Sequence, residues 1–383
     1  MPPAANTTDG VELRATPLTG GVVRRDDSLA DGRDLFYYDD PDTSLAPTRR
    51  VDERILDPRP ETAQMRLDVL TGDWISIASA RQNRVFLPPA EMDPLAPQTA
   101  TNPSEIPSQY DVAVFENRSP SFGPGLGIVD DLAVRELGQT RSSIGRCEVV
   151  CFSPEHEGSF GSLTPTRART VIEAWADRTA ALSALPGVAQ VFPFENRGQE
   201  IGVTLAHPHG QIYSYPYITP RTTRLLESTD QATPDLFERI LDFERASSRM
   251  LLEGEHWSAF VPFAARWPVE IHVLPHRHVA DLAETTTAER DELAPFYLRL
   301  LRGVDALYDT PTPYISAWHQ APVHTGRDTV RLHLEITSPR RASDKLKYLA
   351  GSEAAMGAWI GGVTPESAAE RLRTAIDSVG EIA

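Results

Sequence analysis

The hydrophobic and polar positions fall into two similar runs of elements. Alternation over Met65 to Ala80 predicts strands around a Thr71-Gly72-Asp73 turn. Asp111 to Phe115 and Cys147 to Phe152 read as strands. Thr164 to Leu185 carries a helical stripe of Ile172, Trp175, Ala176, Thr179 and Leu182. Ala189 to Glu195 and Ile212 to Tyr217 read as further strands, and Thr233 to Glu253 as an amphipathic helix. The order then repeats: strands at Trp257 to Pro262 and Val269 to Leu274, a helix at Thr287 to Tyr308, strands at Tyr314 to His319 and Val330 to Thr337, and a closing helix at Ser367 to Ser378. Each half runs strand, strand, helix, strand, strand, and each ends on a histidine-bearing strand.

This order predicts an α+β protein in which two halves form one large antiparallel sheet flanked by helices. The divisions are an extended, loop-rich arm over 1–65, an N-terminal half over 66–235 and a pseudo-duplicate C-terminal half over 236–383. Pro88 to Pro107 is rich in proline and reads as a loop.

Composition narrows the function. The 383 residues carry 37 basic and 54 acidic side chains, a net charge of −17, which argues against a nucleic-acid scaffold. No run of about 18 apolar residues is present, so no membrane span is expected. Met1 to Asp9 lacks a basic-then-apolar signal pattern, and the expected location is cytoplasmic. Two cysteines, Cys147 and Cys151, cannot build a disulfide framework and read as small sheet residues. The only lysines are Lys345 and Lys347, in one pentapeptide.

The segment with chemistry is Val191-Phe192-Pro193-Phe194-Glu195-Asn196-Arg197-Gly198, followed by Gly202-Val203-Thr204-Leu205-Ala206-His207-Pro208-His209-Gly210-Gln211. Histidines two apart on an extended chain point the same way, and Pro208 stiffens the pair. Gly210 would let a ligand approach the backbone, and Gln211 adds a neutral donor and acceptor. A neutral imidazole is a good nucleophile towards phosphorus near pH 7.

These motifs resemble the active site of the galactose-1-phosphate uridylyltransferase family, a branch of the histidine-triad superfamily, over about residues 30–375. The resemblance implies tandem histidine-triad-like halves. It implies ping-pong transfer of uridylyl from UDP-glucose to galactose 1-phosphate through His209, giving UDP-galactose and glucose 1-phosphate. The His207 carbonyl would hold the His209 ring, and Gln211 would bind phosphoryl oxygens. Arg81 and Arg84 match a phosphate-contacting segment, Asn117 a uridine-contacting strand, and Asn196, Gly202, Val203 and Thr204 further nucleotide or sugar-phosphate contacts. Lys347, Tyr348, Ser352 and Glu353 match a hexose 1-phosphate segment that often acts across a homodimer interface. Arg197 is a further candidate cation for these anionic substrates. A related nucleotidyltransferase or phosphorylase acting on another sugar phosphate or an ADP-sugar is the alternative.

The sequence departs from the family at its metals. Where a Cys-x-x-Cys pair often completes a zinc site, this chain has Asp93-Pro94-Leu95-Ala96-Pro97. His156 and His207 remain, short of the four ligands of structural zinc. The expectation is a weakened site, with Asp93 or water taking part, rather than stoichiometric zinc. A second divalent metal is implied near His319 and His333, with Glu335 where several relatives have histidine and Leu225 near the position of the family's glutamate.

Overall fold

The computed structural model describes residues 10–79, 87–126, 133–134, 137–232 and 235–382. The strands of the first part are β1 (Val11–Glu12), β2 (Arg14–Pro17), β3 (Val23–Ser28), β4 (Asp34–Asp39), β5 (Thr48–Arg49), β6 (Gln64–Leu67), β7 (Trp74–Ile77), β8 (Val112–Glu116), β9 (Ala133–Val134), β10 (Gly138–Ser142) and β11 (Arg146–Cys151). Helix α1 (Pro165–Ser183), β12 (Gln190–Arg197), β13 (His209–Tyr215), α2 (Pro220–Asp230) and α3 (Leu236–Arg245) follow. Then come β14 (Met250–Glu253), β15 (Trp257–Phe260), β16 (Val269–Pro275), α4 (Thr287–Asp305), β17 (Tyr314–His319), β18 (His333–Ser338), β19 (Arg340–Ala342), β20 (Lys345–Leu346) and α5 (Pro365–Val379).

Among the described residues, twelve strands form one antiparallel sheet in the order β14-β15-β16-β18-β17-β12-β13-β11-β8-β4-β3-β2. The duplication is visible in that order. Reading outward from the β12–β17 pair, β12-β13-β11-β8 on one side mirrors β17-β18-β16-β15 on the other. Helices α1 and α4 take equivalent places, each between the second and third strands of its half.

One face of the sheet is packed under these helices. Val171, Ile172, Trp175 and Leu182 of α1 meet Leu293, Tyr297, Leu300 and Leu301 of α4 over Phe152, Ile212, Trp257, Trp318, Leu334 and Ile336, all buried in one cluster. Thr164 and Thr286 cap the two helices, each hydroxyl accepting the backbone N–H three residues on. Strand β13 shows the resulting alternation: Gly210, Ile212 and Ser214 are buried, while His209, Gln211, Tyr213 and Tyr215 lie on the opposite face.

Three details differ from the sequence pattern. The weakly patterned stretch before residue 65 supplies β2, β3 and β4 to the edge of the large sheet; β4 buries Leu35, Tyr37 and Tyr38, and Arg–carboxylate pairs such as Arg25–Asp39 tie β3 to it. The expected helix over Thr233 to Glu253 is α3 followed by β14. Ser247 turns its hydroxyl onto the Glu244 carbonyl and ends the helix, and Leu251 is then buried in the main core. Helix α2 was signalled only by Pro220 at its first turn after Thr219. No helix among the described residues is long and apolar enough to cross a membrane.

Gly303 sits where α4 crosses α5; a Cβ there would lie 2.4 Å from Ile376 Cγ1 and 3.0 Å from Ile376 Cα. Alanine adds about 1 kcal/mol of helix propensity, but overpacking against backbone costs about 1–3 kcal/mol. Gly303→Ala is expected to lower Tm by a few degrees in a thermal melt.

Candidate active site

The strand that carries His209 is placed by its neighbours. β13 pairs with β11 on one side and β12 on the other, with Cys151 opposite His209 and Glu195 opposite Gly210. Gly210 is on the packed face, where a Cβ would come within 2.9 Å of both Phe152 Cζ and the Phe194 carbonyl oxygen. Its role is therefore close packing beneath the site, and the expectation of ligand approach at Gly210 is corrected accordingly. Cys147 and Cys151 are both buried in β11, in keeping with small sheet residues.

A cavity of about 770 Å³ opens beside His209. Its walls include His207, Pro208, His209, Asn196 and Val203, with Leu87 at the end of the undescribed stretch 80–86. Leu87 donates its N–H to the Thr204 carbonyl. Gly202, with φ of 86°, turns the chain between Asn196 and Thr204.

His209 donates Nδ1–H to the carbonyl of His207 at 2.7 Å. A carbonyl only accepts, so the neutral ring carries its lone pair on Nε2. His207 is in turn fixed from both nitrogens. Nδ1–H donates to Asp93 Oδ2 at 2.6 Å and Nε2–H to the Ser153 carbonyl at 2.7 Å. The Tyr110 hydroxyl lies 3.1 Å from Nε2. His156 also donates Nδ1–H to Asp93 Oδ2, at 2.9 Å. Burial alone would raise the Asp93 carboxyl, but the hydrogen bond and charge of His207, the Leu95 N–H and His156 hold it at about 2.

Among the described residues, Asp93, His156 and His207 are the one group of three whose candidate ligand atoms all lie within 4.8 Å of one another. Two imidazole nitrogens and a carboxylate oxygen suit a divalent cation, which would replace the two protons now shared with Asp93. The donor set therefore fits a metal, with Asp93 taking the place of the missing cysteine.

Several expected residues lie elsewhere. Arg81 and Arg84 fall outside the described residues. Gln211 is on the His209 face but not in the cavity wall, in register with Phe194 and Val149. Asn117 follows β8, its side-chain oxygen accepting the Ser119 N–H. Arg197, the further candidate cation, does line the cavity, where it pairs with Asp305 at the end of α4 and lies over the Tyr314 ring. Arg340 in the same wall pairs with Glu200 at 2.7 Å; no motif had singled it out. Glu195, beneath the wall, is raised to about 7 by burial although Tyr314 donates its hydroxyl at 3.0 Å.

Lys347 is not in this wall. Its ammonium donates to the Arg266 and Ile360 carbonyls at 2.8 and 2.6 Å, between the Trp267 and Trp359 rings. Glu353 lies 3.6 Å away, and the Ser352 hydroxyl donates to the Ala358 carbonyl. Lys347 and Tyr348 line a smaller cavity of about 150 Å³ that shares Glu200 with the main one. The segment thus flanks the site, with its amine committed within its own chain.

His319 and His333 stack at 5.0 Å between centroids on the same face, further along the sheet. Burial lowers His319 to about 3 and His333 to about 4, so both rings are neutral. Burial also opposes the charge on Glu335, but its carboxyl is held well below the usual range, by the charges that His319 and His272 carry at acid pH and by the permanent charge of Arg221. Arg221 claims both carboxylate oxygens, so this set does not fit a resident metal as it stands.

The Asp93 anchor makes a pH prediction for the metal-free protein. A carboxyl displaced from about 4 unfolded to about 2 folded stabilises the native state above pH 4 and loses that contribution as pH falls towards 2. The contribution is about 2 kcal/mol at 1.36 kcal/mol per pH unit. Urea midpoints measured from pH 5 downward should therefore fall more steeply for the parent than for Asp93→Asn.

The comparisons with known proteins agree with this geometry. Residues 52–219 match the family described as galactose-1-phosphate uridyl transferase, N-terminal domain, and residues 223–382 the corresponding C-terminal domain. A galactose-1-phosphate uridylyltransferase from Streptomyces lividans is 44% identical over 370 residues, covering 91% of this chain and 97% of the relative. One from Thermotoga maritima is 34% identical over 322 residues, covering 81% and 98%. A solved uridylyltransferase structure superposes with a TM-score of 0.74 at 29% identity, covering 83% of this chain and 100% of that one. With both halves matched and the histidine site in place, the chain belongs to the galactose-1-phosphate uridylyltransferase family.

Proposed function

We propose that this chain transfers a uridylyl group from UDP-glucose to galactose 1-phosphate by a ping-pong route through His209. It is a nucleotidyltransferase of galactose metabolism. The observation that carries the reading is the hydrogen bond from His209 Nδ1–H to the His207 carbonyl, at 2.7 Å in the cavity wall.

In this reading His209 Nε2 attacks the α-phosphorus of UDP-glucose. The N–P bond forms as the P–O bond to glucose 1-phosphate breaks, and glucose 1-phosphate leaves. The ring, now substituted on Nε2 and still protonated on Nδ1, is positively charged, and the fixed carbonyl dipole of His207 stabilises it without reorganisation. A phosphate oxygen of galactose 1-phosphate then attacks the same phosphorus. The N–P bond breaks, UDP-galactose is released, and the ring returns to its neutral form. Holding the reactants in line supplies much of the acceleration.

Asn196, Gly202, Val203 and Thr204 serve the nucleotide or the sugar phosphate, Gln211 the phosphoryl oxygens, and Arg81 and Arg84 the phosphate charge. Tyr348, Ser352, Glu353 and the Lys347 segment serve the hexose 1-phosphate, in a homodimer from the partner chain. Asp93, His156 and His207 would hold a divalent cation, zinc by ligand type. Bound there, it would supply a fixed positive charge that secures His207 and hence its carbonyl.

His209→Ala should reduce transfer by at least about 10⁴-fold, the scale of losing a covalent nucleophile, and should abolish a UMP-sized mass gain on incubation with UDP-glucose. Normal turnover in that variant would overturn the reading. An AMP-sized adduct on His209 from an ADP-sugar, with none from UDP-glucose, would redirect it to the other nucleotide.

A further inference from the structure

The two halves use equivalent strands in opposite ways. β18 begins at His333 as β13 begins at His209. Each histidine donates Nδ1–H to the carbonyl two residues before it: His209 to His207 at 2.7 Å, His333 to Arg331 at 2.9 Å. Gln211 and Glu335 then occupy matching positions, two residues on and on the same face. The first histidine opens on a cavity; the second is 7% exposed, packed between His319 and Phe237.

Glu335 is the charged group of this second cluster, and it is buried. Three imidazole Nε2 atoms surround its carboxylate: His319 at 3.5 Å, and His272 and His333 at 3.7 Å each. The grouping has the residue types of a divalent metal site, yet its valences are already met. Arg221, in the first turn of α2, sets Nη2 2.5 and 2.6 Å from the two Glu335 oxygens. His272 Nε2 is closer to Glu270 Oε1, at 3.2 Å, and donates there. The neighbouring Leu225 adds only an apolar contact to Phe237, Leu241, Phe260 and Leu274.

We infer that Arg221 is the built-in cation of this cluster: its guanidinium stands against Glu335 where a divalent metal would otherwise bind, and the second half of the sheet is closed without one. A buried carboxylate must be paired with a positive charge and hydrogen-bonded. A guanidinium does both at once and is always charged. The Arg221 side chain is 56% exposed, so it reaches in from the surface and seals the cluster with its head. It also ties the start of α2 to β18.

Cobalt binding tests this on the full chain. Metal-stripped protein is equilibrated with Co²⁺, and bound metal per chain and visible ligand-field absorption are measured after dialysis. Arg221→Ala should take up one more Co²⁺ per chain than the parent, and adding His319→Ala to that variant should remove it. In the parent background His319→Ala should leave bound cobalt unchanged. The inference is overturned if His319→Ala alone strips one equivalent from the parent, because a metal would then share the cluster with Arg221. It is equally overturned if Arg221→Ala, folded by circular dichroism, gains none.

Discussion

A one-residue slip of β13 against β11 or β12 would carry Gly210, Ile212 and Ser214 out of the packed layer and drive His209 and Gln211 into it. The core under α1 and α4 forbids that slip, because Ile212 is fully buried and Gly210 has no room for a Cβ. Register, set by apolar packing on one face, therefore decides which residues are available for chemistry on the other. The orientation of His209 follows from one further contact, since the His207 carbonyl that accepts its Nδ1–H is fixed by His207's own anchorage to Asp93 and Ser153.

The same architecture accommodates two electrostatic solutions. In the first half a histidine occupies the position two before the strand histidine, and its partner is the buried Asp93. In the second half that position is Arg331, paired with Asp235 and Glu238. The net charge of −17 is thus no guide to the interior, where cations and anions are matched locally. Arginine, with its planar fork and permanent charge, suits such buried pairing better than lysine. The pairs Arg178–Glu148 and Arg249–Glu244, both almost wholly buried, use it in that way.

The duplication was legible because element order survives when identity does not. Strand, strand, helix, strand, strand can be read twice along the chain, and in space it becomes a mirrored strand order about the β12–β17 pair. The histidine pair was equally legible, since Pro208 and the flanking glycines leave few alternatives for an extended segment of that composition. The strands before residue 65 were not: ion pairs rather than alternating apolar residues mark β3, and Leu35, Tyr37 and Tyr38 of β4 are buried against a core that the rest of the fold supplies. The break between α3 and β14 was missed for a related reason: Leu251 leaves the helix for a core that only the rest of the fold creates.

What the sequence determined by itself was therefore the type and order of most elements after residue 65, the repeat of that order and the histidine pair, since these depend on local periodicity and on residue chemistry within a few positions. Tertiary structure alone decided the partners. Asp93 lies 114 residues from His207, Arg221 lies 114 from Glu335 and Arg197 lies 108 from Asp305. A charge finds its counter-charge through space, after the sheet has closed, and nothing in the spacing along the chain records which one it will meet.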